Sequence, residues 1–313
     1  MKGIDIARAY WERQGRPAIE AACPELMPLI AAGLCGSGSE CFGFDDDVSR
    51  DHDFEPGFCL FLPEEDVVDR RAAFQLEKLY ARLPRDFMGL RRGFVNPAGG
   101  ARRGVMRASD FFRDKTGAGD GILTVGQWLA IPEHALAEAV NGAIFHDGPG
   151  EVTAIRARLA RYPRDIRLKK LAGHLLLAEQ AGLYNYERCL RHGETGAAQL
   201  AAGEFVNHAM AAAFLLNDVY RPFYKWQFRA LRSLERLSHL AQPLERLLTT
   251  GNDGDLPGEK RALMARAAAD IAEEARTQGL CRGGGDLEAA AFDVNQSIAD
   301  ADLRNAHILD AVQ

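Results

Sequence analysis

The first 125 residues alternate between helical and extended patterns of apolar side chains. Apolar residues at helical spacing predict a helix over residues 5–32, and Leu34 belongs to a short strand that leads into a glycine-rich turn. A second strand is predicted over 54–62, where an apolar run begins at Phe58. Helical spacing returns over 66–83 and stops at a proline.

The pattern changes in the second half of the chain. Residues 87–104 are rich in Gly, Arg and Asn and predict a loop, with a short strand near 104–107. From about residue 130 extended patterns nearly vanish, and stretches rich in Ala, Leu and Arg predict helices over 152–162, 165–181, 197–219, 223–248 and 259–278. The predicted fold is therefore α+β: a small mixed sheet with helices over residues 1–125, followed by an all-α helical bundle domain over 126–313.

Composition narrows the class of protein. A chain of 313 residues with 47% hydrophobic content suits two globular domains, and a net charge of −6 argues against a broad nucleic-acid surface. The sequence has no apolar run near the roughly 20 residues that cross a bilayer, and no signal-peptide pattern is seen. The cysteines form no CxxC pair, so we expect reduced thiols in a cytoplasmic protein without a membrane partner. A zinc site made of Cys35, Cys41 and Cys59 is a less favoured alternative.

The candidate chemistry lies before the second strand. Asp51 and Asp53 are one residue apart, so in a strand both project from one face and His52 from the other. Adjacent carboxylates repel each other unless a cation lies between them, and ligation by oxygen alone suits Mg²⁺. The preceding turn at Gly38 and Ser39 can bring backbone N–H groups to phosphate oxygens. The pattern favours metal-assisted phosphoryl or nucleotidyl transfer over a solvated start of a strand.

Two further groups of charged residues lie near this motif. Residues 45–47 are three consecutive aspartates, which we interpret as a solvated turn. Arg50 is either a phosphate contact or a partner of these aspartates. Five arginines over 91–107 are either a solvated loop or a contact for an anionic substrate.

These motifs resemble the nucleotidyltransferase superfamily of the polymerase β type, in which a Gly-Ser turn, a spacer glycine and an Asp-x-Asp pair follow one another. Gly43 stands in the place of the spacer glycine. A closer resemblance, over almost the whole chain, is to the bacterial family DUF4037. It rests on the stretches GFDD (43–46), SRDHD (49–53), WLAIPE (128–133), YPRDIR (162–167) and PFYKW (222–226).

The resemblance implies both a fold and an activity. It implies that Asp51 and Asp53 hold Mg²⁺ on a nucleoside triphosphate, that Gly38 and Ser39 contact its phosphates, and that Lys225 reaches them from the helical domain. The implied reaction transfers AMP from ATP to a hydroxyl group of a small molecule or a protein. The implied nucleotide-binding residues are Gly38, Ser39, Arg50 and Lys225.

One departure from the superfamily pattern keeps an alternative open. Active relatives carry a third carboxylate on a later strand, and here that region reads RGVMRASD, with no carboxylate before Asp110. The alternative is a catalytically inactive nucleotide-binding sensor or interaction module. Nucleic-acid polymerisation fits poorly with the acidic composition.

Overall fold

The chain folds into two compact units. The computed structural model describes residues 1–48, 55–92, 102–282 and 286–312. The first unit comprises Met1–Gln127 and Ile131–Ala160, and the second comprises Trp128–Ala130 and Arg161–Gln313. The first unit contains a sheet with helices, and the second unit contains helices. This confirms the predicted mixed α+β class. The predicted domain boundary at residue 125 stays a prediction.

The first unit begins with a broken helix rather than the single helix predicted over 5–32. α1 (Gly3–Tyr10) passes through one π-helical turn (Trp11–Gly15) into α2 (Arg16–Ala22), and a 3₁₀ helix (Pro24–Leu29) follows. Two prolines coincide with the breaks: Pro17 lies in the first turn of α2, and Pro24 begins the 3₁₀ helix. A proline has no backbone N–H, so it cannot donate the hydrogen bond that continues an α-helix. The chain continues with β1 (Ala31–Leu34), a 3₁₀ turn (Glu40–Phe42), β2 (Cys59–Leu62), α3 (Arg70–Arg82), β3 (Asp86–Phe87), β4 (Leu90–Arg91), β5 (Gly104–Arg107), α4 (Ala108–Thr116), α5 (Val125–Ala130), α6 (Glu133–Val140), β6 (Ala143–Asp147) and α7 (Glu151–Leu159). The last three residues of α5 belong to the second unit.

Four of these strands form one mixed sheet in the order β5-β2-β1-β6. β2 pairs antiparallel with β1 and parallel with β5, and β1 pairs antiparallel with β6. Every residue of β1 and β2 is buried. The strand expected before the glycine-rich turn is β1, the one expected over 54–62 is β2, and the one expected near 104–107 is β5.

β6 corrects the expectation that strands end near residue 130. This strand lies at the edge of the sheet, and all its residues are half-buried. Only Ala143, Ile144 and Phe145 are apolar, and His146 and Asp147 complete it. Such a short apolar stretch is too brief to produce a clear alternation in the sequence.

Phe58 anchors the start of β2. Its ring lies 4.9 Å from the ring of Tyr80 and 5.2 Å from that of Trp11, between centroids. The Tyr80 hydroxyl donates to the Phe58 carbonyl at 2.8 Å and accepts from its N–H at 3.1 Å. A Cβ atom added at Gly15 would lie 2.4 Å from this ring, so the π-helical turn packs directly on it. These contacts hold the start of β2 against the π-helical turn and α3.

The second unit is helical throughout its described residues. It contains α8 (Arg164–Ala178), a π-helical segment (Glu179–Asn185), α9 (Tyr186–Arg191), α10 (Thr195–Leu216), a 3₁₀ turn (Tyr224–Trp226), α11 (Gln227–Leu231), a 3₁₀ turn (Ser238–Leu240), α12 (Ala241–Thr249), α13 (Leu256–Thr277), α14 (Leu287–Gln296) and α15 (Ala301–Asn305). α10 is the central helix and packs on α8, α9, α12 and α13. In the part of the chain described, no helix is both long and apolar enough to cross a membrane.

Buried cations with neutral partners hold this unit together. The Lys260 amine is fully buried and donates to Gln199 Oε1 at 2.6 Å, to the Thr250 carbonyl at 3.0 Å and to Asn252 Oδ1 at 3.0 Å. Burial lowers the pKa of Lys260. Its three donors are all satisfied, which offsets the cost of removing a charge from water.

A buried histidine pair joins α8 to α10. The Nδ1 atoms of His174 and His208 lie 2.9 Å apart, so one ring donates and the other accepts. Burial, followed by the charges of nearby groups that include Arg221, lowers the pKa of His208 to about 4 and that of His174 well below its ordinary value. Glu204 lies 3.5 Å from His208 Nε2. The pair is neutral in the folded protein at pH 7.

This pair predicts an acid-sensitive fold. Below pH 6.5 the unfolded chain protonates both rings, whereas folded His208 stays neutral down to about pH 4. The contribution of the neutral His208 to the free energy of unfolding should therefore be complete above pH 6.5. As the pH falls to 4, the free energy of unfolding should decrease by about 3 kcal/mol through His208 alone. Denaturant unfolding at several pH values measures this slope. His174→Gln/His208→Gln should flatten it, and the exposed control His192→Gln should not; equal slopes in all three proteins would contradict the prediction.

Candidate functional site

The candidate site is built on the turn that leaves β1. Gly36 and Gly38 have positive φ angles of 104° and 138°, which favour glycine. The Asn141 side chain accepts from the Gly36 N–H and donates to the Gly36 carbonyl, both at 2.8 Å. Arg156 in turn donates to the carbonyls of Asn141 and Val140 at 2.8 Å each. The end of α6 therefore clamps the first glycine of the turn.

The next stretch of the turn presents unused backbone donors. Among the described residues, the N–H groups of residues 37–40 donate to no protein acceptor. Three of their carbonyls are engaged: the Gly38 and Ser39 oxygens accept from the N–H groups of Cys41 and Phe42 at 3.2 Å each, and the Glu40 oxygen accepts from that of Gly43 at 3.3 Å. Successive N–H groups that point the same way form a concave site for an anion.

A buried ion pair supports this turn from the sheet. Glu40 Oε1 lies 2.9 Å from Arg103 Nη2, and both side chains are about nine-tenths buried. Arg103 also donates to the Glu55 carbonyl and directly precedes β5. The guanidinium neutralises the carboxylate, so the turn does not carry an uncompensated negative charge.

Gly38 has to be glycine for a second reason besides its φ angle. A Cβ atom at this position would lie 2.6 Å from Glu40 Oε1 and 2.7 Å from Glu40 Oε2. The Glu40 carboxylate thus occupies the space that any other side chain would need. No such neighbour exists at Gly43, where an added Cβ meets nothing within 4 Å.

The aspartate run contains a buried anchor, which corrects the interpretation of residues 45–47 as a solvated turn. Asp45 is buried, and its Oδ2 accepts from the Gly3 N–H at 2.9 Å. Lys2 donates to the carbonyls of Asp45 at 2.6 Å and Gly43 at 3.1 Å. Asp45 therefore ties the loop to the start of α1, while Asp46 and Asp47 are exposed.

Several arginines near the site bind backbone carbonyls. Arg92 donates to Tyr80, Ala81 and Leu83 carbonyls at 3.1–3.4 Å. Arg107 donates to the Pro63 carbonyl at 2.5 Å. Together with Arg103 they hold the chain around the sheet, so the described contacts of this basic stretch are structural.

The sequence-predicted site residues have different outcomes. Gly38 and Ser39 form the turn in the first unit, and Ser39 is buried. Arg50, Asp51 and Asp53 lie outside the described residues. Lys225 lies in the second unit on the exposed turn Tyr224–Trp226, with its amine 5.2 Å from the centroid of the Trp226 ring.

The candidate third carboxylate, Asp110, lies beyond β5. It is in the first turn of α4, is largely exposed and accepts from Arg113 at 2.8 Å. β5 itself consists of Gly104, Val105, Met106 and Arg107 and carries no carboxylate.

The three cysteines of the alternative zinc site lie in the core. Cys35, Cys41 and Cys59 are buried and free. A hydrogen bond between the Cys35 and Cys59 thiols lowers the pKa of Cys59, while that bond and burial raise the pKa of Cys35 well above its ordinary value. No group of three His, Cys, Asp or Glu side chains among the described residues is arranged to hold a metal ion.

A family match covers part of the chain. Residues 128–227 match the family described as "Domain of unknown function (DUF4037)". The stretches at 128–133, 162–167 and 222–226 fall within that range, whereas the GFDD and SRDHD stretches lie before it. No curated protein and no solved structure matches the chain. Membership of the nucleotidyltransferase superfamily stays a prediction.

Sequence reasoning missed Asn141 and Arg103 as residues that hold the turn. Asn141 is 105 positions from Gly36, and Arg103 is 63 positions from Glu40. Only the pairing of β6 with β1 and of β5 with β2 brings them together.

Substitution of Gly38 tests the turn. Gly38→Ala adds a clash with the Glu40 carboxylate to the strain of a positive φ, so we expect it to lower the free energy of unfolding by about 2–4 kcal/mol. Gly43→Ala is the matched control, since it adds only the strain, about 1 kcal/mol. Denaturant unfolding measures both, and equal losses would show that Glu40 does not crowd Gly38.

Proposed function

We propose that this protein is a Mg²⁺-dependent nucleotidyltransferase that transfers a nucleoside monophosphate, AMP from ATP, to a hydroxyl group of a small molecule or protein. The observation that carries the proposal is the row of N–H groups over residues 37–40 that have no acceptor among the described residues, in the turn that follows a fully buried strand. Such a row is suited to the phosphate oxygens of a nucleotide.

The sequence motif supplies the second part of the proposal. Asp51 and Asp53 follow the turn and precede β2, the strand that pairs with β1. Their carboxylates are the oxygen ligands that Mg²⁺ prefers, and they would hold the ion beside the phosphates. When bound, Mg²⁺ would supply charge neutralisation and would activate the acceptor hydroxyl.

The chain's own groups would position the triphosphate. The N–H groups of Gly38 and Ser39 would hold the β- and γ-phosphates, and the Glu40–Arg103 pair would keep the turn rigid. Arg50 and Lys225 would add positive charge to the phosphates. Positioning and electrostatic stabilisation supply most of the rate enhancement in phosphoryl transfer.

A second function, a nucleotide-binding sensor without catalysis, is favoured by one observation. β5 carries no carboxylate, and Asp110 is paired with Arg113 on the surface of α4. The same N–H row and aspartate pair would then bind a nucleotide without transferring it.

One experiment separates the two functions. The protein is incubated with each labelled nucleoside triphosphate, Mg²⁺ and a cell extract, beside Asp51→Asn/Asp53→Asn and the exposed control Asp66→Asn. The wild type and Asp66→Asn should transfer label and release pyrophosphate, whereas the double variant should lose at least about 100-fold in rate.

Other results would redirect the proposal. Nucleotide binding without transfer to any acceptor in the wild type would support the sensor. Label transfer that survives in the double variant would place the chemistry elsewhere and contradict the proposed site.

A further inference from the structure

The second unit contains a groove that has no part in the proposed nucleotide site. It has a volume of about 820 Å³ and runs between the π-helical segment Glu179–Asn185, α14 and residues 304–309. Small-molecule sites commonly have volumes of about 300–1,000 Å³. All the residues that line it belong to one compact unit, so the groove is a feature of that unit alone.

The wall on one side is shaped by the π-helical segment. Gly182 packs against α10, where an added Cβ would lie 2.3 Å from Cδ2 of Phe205. The lining residues of the same segment are Glu179, Gln180, Leu183 and Tyr184. π-Helical turns inside α-helices are frequent at functional sites.

The floor is apolar and rigidly supported. Leu176, Leu183 and Leu309 are half-buried and contribute apolar surface. Asn295 also lines the groove, and its Oδ1 accepts from the fully buried Lys169 amine at 3.0 Å. Lys169 also donates to the Ala306 carbonyl at 2.7 Å, so one buried amine joins α14 to the segment that follows α15.

The rim carries an aromatic residue on each of two elements. Tyr184 is 55% exposed on the π-helical segment, and Phe292 is 49% exposed on α14. Both line the groove. An apolar body that entered between them would remove both rings from water.

The groove carries two carboxylates close enough to repel each other. Glu179 and Glu288 both line it, and within the described residues neither forms an ion pair. Glu179 accepts from the Leu287 N–H at 3.2 Å. Burial, and then the charges of Asp286 and Glu288, raise the pKa of Glu179. A bound cation would relieve this repulsion.

Arg304 in the lining keeps its positive charge but, within the described residues, forms no ion pair with these carboxylates. Arg304 donates to the carbonyls of Ile298 at 2.9 Å and Ala299 at 3.5 Å. His307 Nδ1 accepts from the Leu309 N–H at 3.3 Å. Both side chains are engaged with their own segment of the chain.

We propose that this groove binds a small organic cation, with a protonated amine between Glu179 and Glu288 and an apolar body between Tyr184 and Phe292. The amine would donate charge-assisted hydrogen bonds to the carboxylates, and the Phe292 ring would add cation–π attraction. The Arg188 guanidinium already lies 5.1 Å from the centroid of the Tyr184 ring, so this ring would contribute apolar contact. The site is independent of nucleotide transfer, so it stands or falls separately.

Three probes with one apolar body and different head groups test the proposal. The affinities of 2-phenylethylamine, 2-phenylethanol and phenylacetate for the full chain are measured by calorimetry or ligand-observed NMR at pH 7.5. The amine should bind about tenfold more tightly than the alcohol, and phenylacetate should not bind. Amine binding should weaken on acidification, as Glu179 becomes protonated.

Substitutions then separate charge from shape. Glu179→Gln/Glu288→Gln should weaken binding of the amine about tenfold and leave binding of the alcohol within twofold. Phe292→Ala, at a half-exposed position, should weaken both probes alike. Glu194→Gln, on an exposed glutamate of the same unit, should change neither.

Far-UV circular dichroism and thermal unfolding confirm that each variant folds. Equal affinities for the three probes, tighter binding of phenylacetate, no binding of the amine, or an unchanged amine affinity in the double glutamine variant would each overturn the proposal.

Discussion

The antiparallel pairing of β1 with β2 is the constraint on which the first unit depends. Every residue of both strands is buried, so each strand packs on both faces, and a shift of one residue would exchange the side chains that fit the two faces. Phe58, held by the Tyr80 hydroxyl, fixes where β2 begins. The strand pair therefore determines where the turn over residues 36–40 leaves the sheet.

The polar groups around this turn divide into those that hold it and those left for a ligand. Asn141 satisfies both backbone groups of Gly36, and Arg103 neutralises the buried Glu40. A buried carboxylate without its cation would be strongly destabilising, so the ion pair is required once Glu40 is placed there. The N–H groups of residues 37–40 remain as donors, which suits a turn that binds phosphate.

Much of the fold could be predicted from the sequence, because apolar runs and helical spacing are local signals. They located β1, β2, β5 and most helices. The edge strand β6 was not predicted because it has only three apolar residues. The role of Asn141 was not predicted because its partner, Gly36, is 105 positions away. The burial of Asp45 depends on Gly3 and Lys2, which no local pattern reveals. The Gly-Ser turn was predictable as a motif, whereas the support beneath it arises only from tertiary pairing.

Amide hydrogen exchange over residues 37–40 tests the central claim most directly. Backbone N–H groups without a protein acceptor exchange quickly, and phosphate oxygens bound to them would slow that exchange. With saturating ATP and Mg²⁺, exchange in this segment should slow by about tenfold or more, while distant helices of the second unit keep their rates. ATP binding measured by calorimetry with no change at residues 37–40 would contradict the proposed nucleotide site.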